Sequence, residues 1–278
     1  MTGGQFDRDQ AEWRWQAYFI QGTTTLRNDL GITDKEQLRT AEYEVVAIRR
    51  REIVQGVVGI PRTFDDAHLS AIHKRLFGDV YPWSGQPRTV NMAKDGRNFA
   101  DVEHELMGQV WDAKVVITRT PWERVDREEF AVAMGEVTAH LNTAHPFREG
   151  NGRTVRVMLE QLAERTPFGL DWDRISAEEW NQASAAMMPW GRGEAPDPTA
   201  MVPVFRGLTV DRTSSPTPEE STPERAHTRT AAQLAAMATP RRQHPSNTRS
   251  ARDGALLREQ AGRVTRTPET DLGRSPGV

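Results

Sequence analysis

Apolar residues recur at intervals of three and four through most of the first 208 residues, and this pattern predicts a mainly helical fold. Asp34 and Ser176 stand where two helices begin, since a short polar side chain there accepts a hydrogen bond from a free N–H group of the first turn. The first predicted helix has apolar positions at Leu38, Ala41, Val45, Ile48 and Ile53, and the second has them at Ala67, Leu69, Ile72 and Leu76 and ends at Gly78. The third, over 102–117, has Leu106, Val110, Val115 and Val116. The fourth, over 126–144, has Phe130, Met134, Val137 and Leu141, and the fifth, over 154–164, has Val155, Met158, Leu159 and Leu162. Two more helices are predicted, over 176–187 and 201–208.

One segment, over 88–99, breaks the helical pattern. It combines β-branched residues with an Asp95-Gly96 pair. Asp-Gly is a strong hairpin signal, because both residues of a tight hairpin turn must tolerate positive φ. The segment is therefore predicted to form a small β-hairpin. Taken alone, such a hairpin is either a plain surface feature or part of a binding site.

The chain changes character after Leu208. Every Phe, Trp and Tyr lies at or before Phe205, and the residues beyond are rich in Pro, Ser, Thr, Arg and Glu. Such a composition cannot bury enough apolar surface to offset the entropy lost on ordering. Residues 1–208 are predicted to fold, and 209–278 to be a disordered tail with one short helix over 229–237. The tail is either a flexible end without a role, or a linker, secretion signal or partner signal.

Composition excludes several classes of protein. The net charge is −3, which does not favour a nucleic-acid or membrane surface. The chain has no cysteine, so a disulfide framework, a thiolate metal site and a cysteine nucleophile are excluded. It has no apolar run long enough for a membrane span and no signal-peptide pattern at the N-terminus. We expect a cytoplasmic protein with no direct contact to nucleic acid or membrane.

The densest chemistry lies over 145–156, between two predicted helices. The segment reads His145, Pro146, Phe147, Arg148, Glu149, Gly150, Asn151, Gly152, Arg153, Thr154, Val155 and Arg156. A Gly-Asn-Gly turn that runs into a helix N-terminus is an anion site, because backbone N–H groups and the helix dipole favour negative charge. Arg153 and Arg156 share one helix face and can hold the same anion.

His145 and Glu149 add acid–base and metal chemistry to this anion site. An imidazole can transfer protons at neutral pH. A carboxylate suits the Mg²⁺ that accompanies nucleotide phosphates. Each residue alone has an ordinary structural explanation, such as a loop histidine or a solvated helix face. No folding requirement explains all of them together in this order.

The segment resembles the Fic motif, His-x-Phe-x-(Asp/Glu)-Gly-Asn-Gly-Arg-x-x-Arg, and every fixed position matches. Residues 25–34 look like the family's N-terminal lead-in, and residues 83–90 like the segment before its hairpin flap. The resemblance covers about 23–208 and leaves the tail unexplained. It implies the all-α, mainly helical Fic fold, with a small β-hairpin flap at about 88–99 that covers the active site and pairs with a target segment by strand addition.

The resemblance implies transfer of AMP from ATP to a Ser, Thr or Tyr hydroxyl of a target protein. His145 would be the general base and Glu149 the Mg²⁺ ligand. The turn of Gly150, Asn151 and Gly152 would bind the α- and β-phosphates, Arg153 the leaving pyrophosphate and Arg156 the γ-phosphate. Asn98 and Phe99 are candidates for the adenine pocket. Gly152 matches the family form that transfers AMP, whereas a Lys there is typical of the form that transfers phosphate.

Many family members are silenced by a helix carrying (Ser/Thr)-x-x-x-Glu-(Gly/Asn), and this chain matches that pattern only imperfectly. The nearest matches are Thr40 with Glu44, Ser215 with Glu219, and Thr265 with Glu269. The chain thus resembles the class of toxins held inactive by a separate small antitoxin that carries such a helix. Implied targets of that class include type II topoisomerase subunits. Two alternatives stay open: a secreted, host-targeted Fic effector, and a catalytically weak nucleotide-binding interaction module.

Overall fold

The computed structural model describes residues 3–189, 191 and 193–212, and the fold in this part of the chain is mainly helical, as predicted. Its helices are α1 Gly3–Gln16, α2 Lys35–Val54, α3 Asp66–Phe77, α4 Leu106–Arg119, α5 Arg127–Ala144, α6 Asn151–Ala163, α7 Ala177–Ala186 and α8 Val202–Leu208. Its short strands are β1 Ala93–Lys94, β2 Arg97–Asn98, β3 Phe168–Leu170 and β4 Thr209–Asp211. The predicted tail from residue 213 onward, with its predicted short helix, lies outside the described residues.

Polar caps fix where the main helices begin. The Asp34 side chain accepts from the backbone N–H of Gln37 at 2.8 Å, and Ser176 caps α7 in a capping box, so both predicted caps are confirmed. Asp126 forms a second capping box with Glu129 at the start of α5. Each cap satisfies N–H groups that the helix itself leaves unpaired.

The core lies around α5, which packs against α4, α6 and α8. All the apolar positions predicted for α5 and α6 are buried. The predicted burial of Val115 is wrong: 42% of it is exposed, because Ala113, Val116 and Ile117 carry the inward face of α4. Ile48 of the predicted α2 pattern is likewise 56% exposed.

Two helix boundaries differ from the prediction. Helix α4 begins at Leu106 rather than at 102, because the Asp101 carboxylate accepts from the backbone N–H groups of Glu103 and His104 in a preceding turn. Helix α6 begins at Asn151 rather than at 154. Asn151 and Gly152 therefore lie in the first turn of α6, and Gly150 is its N-cap.

In the described part of the chain, two short antiparallel strand pairs complete the fold. In the predicted hairpin, β1 and β2 are joined by Asp95 and Gly96, whose φ values of 50° and 80° match the expected tight turn. The second pair, β3 with β4, joins strands that are distant in sequence; it has no strong sequence signal and was not predicted. Because β4 spans Thr209–Asp211, the fold continues beyond the predicted boundary at 208. In the described part of the chain, no helix has the length and hydropathy needed to span a membrane.

Candidate active site

The connection between α5 and α6 gathers the predicted catalytic residues. His145 ends α5 in the left-handed region, with φ of 42°, and its N–H donates to the Leu141 carbonyl at 3.0 Å. Gly150 is the N-cap of α6, with φ of 85°. A Cβ on Gly150 would lie 2.4 Å from the ring of Phe77, so this position requires glycine on both conformational and steric grounds.

His145 is held as a buried, uncharged imidazole. Only 7% of the residue is exposed, and its ring stacks on Phe99 with centroids 3.8 Å apart. Burial, and secondarily the positive charges of Arg88, Lys94 and Arg148, lower the pKa of His145 well below its ordinary value. At neutral pH the ring is therefore in the form that can accept a proton.

Arg88 fixes the backbone around His145. Its guanidinium is buried and donates to four carbonyls, those of His145 at 2.8 Å, Val90 at 2.7 Å, Ala144 at 3.2 Å and Ala100. Burial lowers the pKa of Arg88 to about 10, so the group remains a cation at neutral pH. Arg88 thus ties both flanks of the hairpin to the end of α5.

A second buried histidine, His73 of α3, supports the loop from the other side. Its Nδ1 accepts from the Gly85 N–H at 2.8 Å, so its Nε2 carries the proton and donates to the Glu149 carbonyl at 2.9 Å. Its ring stacks on Phe147 with centroids 3.9 Å apart. Burial lowers the pKa of His73 to about 4, which keeps it neutral.

The side chain of Asn151 holds the loop between α5 and α6 through two hydrogen bonds to its backbone. Its side-chain oxygen accepts from the Phe147 N–H at 2.8 Å, and its side-chain nitrogen donates to the Phe147 carbonyl at 2.7 Å. The side chain is therefore a structural clip. Any contribution of Asn151 to anion binding falls to its backbone N–H group in the first turn of α6.

Arg153 lies in a buried charged cluster that the sequence did not reveal. It forms an ion pair with Glu42 of α2, and its Nη2 lies 3.5 Å from Oε1 of Glu149. The Tyr81 hydroxyl donates to the same Glu42 carboxylate. Burial, and then the negative charge of Glu42, raise the pKa of Glu149. The predicted metal ligand and the first motif arginine therefore meet, together with a carboxylate from a distant helix.

Arg156 lies one turn further along α6. Its guanidinium lies over the ring of Trp172, 4.1 Å from the centroid, and its Nε is 3.6 Å from Oε1 of Glu160. Glu160 also accepts from Arg50 of α2 at 2.5 Å. The aromatic ring and the carboxylate hold the arginine at the position where the sequence predicts a γ-phosphate contact.

Arg148, at a variable position of the motif, is bound by the N-terminal segment. It is buried, and its guanidinium lies 4.7 Å from the Trp15 ring and 5.5 Å from the rings of Tyr18 and Phe19. Cations over aromatic faces are attracted by the ring quadrupole. The residues around α1 thereby anchor the middle of the active-site loop.

The two adenine-pocket candidates lie in different surroundings. Asn98 is exposed on β2, whereas Phe99 is buried with one ring face against His145. The next residue back, Arg97, donates to the Met188 carbonyl at 3.0 Å and so ties β2 to the end of α7. The assignment of Asn98 and Phe99 to adenine stays a prediction.

Glu149 fits a magnesium ion only in the presence of a nucleotide. Within the described residues, no group of three His, Asp or Glu side chains could hold a metal by itself. Mg²⁺ is commonly bound by one or two carboxylates together with substrate phosphates. A single buried carboxylate beside an anion turn matches that donor set.

Comparison with known proteins connects this site to a family. The model of the Fic/DOC family matches residues 63–163. The chain is 38% identical over 165 residues to the protein adenylyltransferase VbhT of Bartonella schoenbuchensis, a match that spans 58% of this chain and 34% of VbhT. It is 34% identical to a probable protein adenylyltransferase Fic of Salmonella typhimurium, over 60% of this chain and 82% of that protein. A probable protein adenylyltransferase Fic of Escherichia coli is 31% identical, over 68% of this chain and 89% of that protein.

Solved structures show the same fold. The BepC protein of Bartonella tribocorum with bound AMPPNP covers 71% of this chain, with a TM-score of 0.62 and 25% identity over 98% of that chain. The N-terminal Fic domain of a Bartonella quintana protein with bound ADP also covers 71%, with a TM-score of 0.62 and 28% identity over 96% of that chain. Both are described as VirB-translocated Bartonella effector proteins.

Proposed function

Because the chain belongs to the Fic/DOC family and carries the domain of a nucleotidyltransferase, we propose that it transfers AMP from ATP to a side-chain hydroxyl of a target protein. The observation that carries the proposal is the complete motif, folded so that a buried neutral imidazole precedes the glycine-rich first turn of α6. The relatives named above are called protein adenylyltransferases, which supports the same reaction.

His145 acts as the general base. The target hydroxyl oxygen attacks the α-phosphorus of ATP, and its proton passes to the free imidazole. The bond from the α-phosphorus to the bridging oxygen breaks, and pyrophosphate leaves. A hydroxyl is a poor nucleophile at neutral pH without such a base, and the lowered pKa keeps His145 ready to act as one.

The rest of the motif holds the phosphates. Backbone N–H groups of Gly150, Asn151 and Gly152 would receive the α- and β-phosphates, once the Gly150 N–H leaves Oε1 of Glu149, to which it donates at 2.9 Å. Arg153 and Arg156 would hold the leaving pyrophosphate and the γ-phosphate. Glu149 would hold Mg²⁺, which when bound neutralises charge on the phosphates. The flap, over 88–99, lies beside His145 through the Phe99 stack and would present the target segment by strand addition.

A labelling experiment tests the reaction. The purified chain is incubated with a bacterial lysate and with ATP carrying radioactive phosphorus at either the α- or the γ-position. We expect protein labelling from the α-labelled nucleotide alone, and none from the His145→Ala form. Label that arrives only from the γ-position would replace AMP transfer by phosphate transfer, and equal labelling by both proteins would remove His145 from the mechanism.

The finer proposal is a toxin held inactive by a separate antitoxin. Three segments match the inhibitory pattern imperfectly, and Thr40 with Glu44 is the one that lies within the described residues. Glu44 is exposed on α2. The other two lie outside the described residues. An inhibitory Glu supplied by a small partner helix would bind Arg156 bidentately in place of the γ-phosphate. A type II topoisomerase subunit is the target class we would test first.

A second role is supported by the solved relatives, which are described as effectors translocated by a VirB system. In that role the chain would modify a host protein after secretion. Labelling that appears in a eukaryotic lysate but not in a bacterial one would favour the effector. Nucleotide binding with no labelling in either lysate would instead favour a weakly catalytic binding module.

A further inference from the structure

Glu42 is a buried carboxylate for which the catalytic motif gives no account. It lies on the inward face of α2 and is only 5% exposed. A buried charge raises the free energy of the folded state unless it is paired and hydrogen-bonded. Its partners are the guanidinium of Arg153 on α6 and the hydroxyl of Tyr81. The contact joins a distant helix to the first motif arginine.

These protein contacts satisfy only some of the hydrogen-bond donors of Arg153. Its Nη2 faces Glu42, while its buried Nε and Nη1 have no hydrogen-bond partner within the described residues. The guanidinium lies between the rings of Phe77 and Tyr43, 4.6 and 5.4 Å from their centroids. Buried donors without partners are rare in folded proteins, and a missing ligand is one explanation for them. Phosphate oxygens are suitable acceptors for a guanidinium fork.

A second carboxylate competes for the same cation. Oxygen Oε1 of Glu149 lies 3.5 Å from Nη2 of Arg153. Ionic attraction strengthens as distance shortens and is weakly screened in a buried site. Without the charge on Glu42, Arg153 would move toward Glu149, and its donors would leave the diphosphate position.

We propose that Glu42 is a positioning residue that holds Arg153 for the departing diphosphate and keeps this arginine off Glu149. This inference rests on the proposed function, since it assigns Arg153 to the diphosphate of ATP. It predicts that Glu42 matters for ligands that contain a diphosphate and not for those that lack one.

The test compares binding of ATP and AMP by calorimetry in excess EDTA, so that no metal and no catalysis are involved. We expect Glu42→Gln to weaken ATP binding by about tenfold, the size of one lost charged contact, and to leave AMP binding unchanged. The matched control is Glu44→Gln, which neutralises an exposed carboxylate on the same helix and should change neither affinity. Equal weakening of ATP and AMP, or no weakening of ATP, would overturn the inference.

A double-mutant cycle separates positioning from a general structural effect. If Glu42 acts through Arg153, the double variant Glu42→Gln with Arg153→Gln should bind ATP no more weakly than Arg153→Gln alone. Additive losses would contradict the proposal. Where Glu42→Gln fails to fold, Glu42→Asp replaces it, because it keeps the charge but withdraws it by one methylene. We expect intermediate ATP affinity from that variant, and wild-type affinity would overturn the proposal.

Kinetics distinguish failure of this inference from failure of the proposed function. The Glu42→Gln protein should show a higher KM for ATP and a lower kcat in the labelling reaction. If the wild-type chain transfers no AMP but its ATP binding depends on Glu42, the proposed reaction is wrong and the positioning role of Glu42 stands. If the Glu42→Gln protein transfers AMP with the wild-type KM and kcat, the positioning role of Glu42 is wrong and the proposed reaction stands.

Discussion

At the scale of single residues, Arg88 shows how one side chain can set the geometry of a distant loop. Its four carbonyl acceptors lie on both flanks of the flap and at the end of α5. Backbone carbonyls in such a place would otherwise be buried without donors, which is unfavourable. These contacts indicate that Arg88 holds the backbone of His145 in place.

Replacing Arg88 tests this role. Arg88→Lys keeps the charge but not the fork of donors, so it cannot satisfy the same carbonyls. We expect kcat for AMP transfer to fall while KM for ATP changes little, because the change moves His145 and not the phosphate site. Arg88→Met should lower the free energy of unfolding by about 3 kcal/mol. Arg39→Lys, at an arginine that is 51% exposed, is the control for each measurement.

His73 makes stability depend on pH. An unfolded imidazole binds a proton near pH 6.5, but folded His73 does so only near pH 4. Protons therefore favour the unfolded chain below pH 6.5, and the stability contributed by His73 is full above that pH and is lost as pH falls toward 4. The maximum loss from this one group is about 3 kcal/mol.

Chemical denaturation between pH 7 and pH 4 measures that loss. The His73→Gln protein should be less stable at pH 7, but its stability should fall less steeply with acid. The wild-type protein, measured over the same pH range, is the reference for both effects. An unchanged slope in His73→Gln would mean that other groups dominate the acid response.

At the scale of elements, the antiparallel pair of β3 and β4 shows that described structure extends past the boundary predicted at 208. Arg127 of α5 donates to the Thr209 carbonyl at 2.7 Å and to Asp211 at 2.8 Å, so β4 is tied to the core helix as well as to β3. These contacts lie past the predicted boundary at 208. Truncations on either side of β4 should therefore behave differently.

We expect a chain ending at Arg212 to keep the melting temperature and the AMP transfer of the full chain, because the composition beyond it predicts no buried area. A chain ending at Leu208 loses β4 and both Arg127 contacts. Its melting temperature should fall by about 4 °C, the shift expected for 1 to 2 kcal/mol in a domain of this size. Scanning calorimetry of the two truncated chains measures both effects. A large fall in melting temperature on truncation after Arg212 would contradict the prediction, made from composition, that the residues beyond it bury no area.

The elements that could be predicted from sequence are those with local signals. Helices α5 and α6 repeat apolar residues over several turns, and the flap hairpin has an Asp-Gly turn whose positive φ values the sequence anticipates. Strands β3 and β4 are three residues each and pair across a long separation, so no local pattern marks them. Glu42, His73 and Arg88 were missed for a related reason. Their roles depend on contacts that form only after α2, α3 and the flap pack against the motif.

At the scale of the whole molecule, the proposed toxin role predicts an effect on a bacterial host. Expression of the wild-type chain without an antitoxin should arrest growth, because AMP transfer to an essential protein would not be restrained. The His145→Ala form should not arrest growth, since it lacks the base proposed to activate the target hydroxyl. Growth curves at equal protein levels make the comparison. Equal growth of the two strains would favour the effector role.

The left-handed backbone at His145 sets function against stability. A residue with a Cβ is strained at φ of 42°, whereas glycine adopts this region freely. A His145→Gly protein should accordingly be more stable than His145→Ala, although both lack the base. Relief of this strain by glycine would therefore also remove the imidazole that we propose as the general base. The backbone strain at His145 is accordingly a cost in stability that the proposed reaction requires at this position.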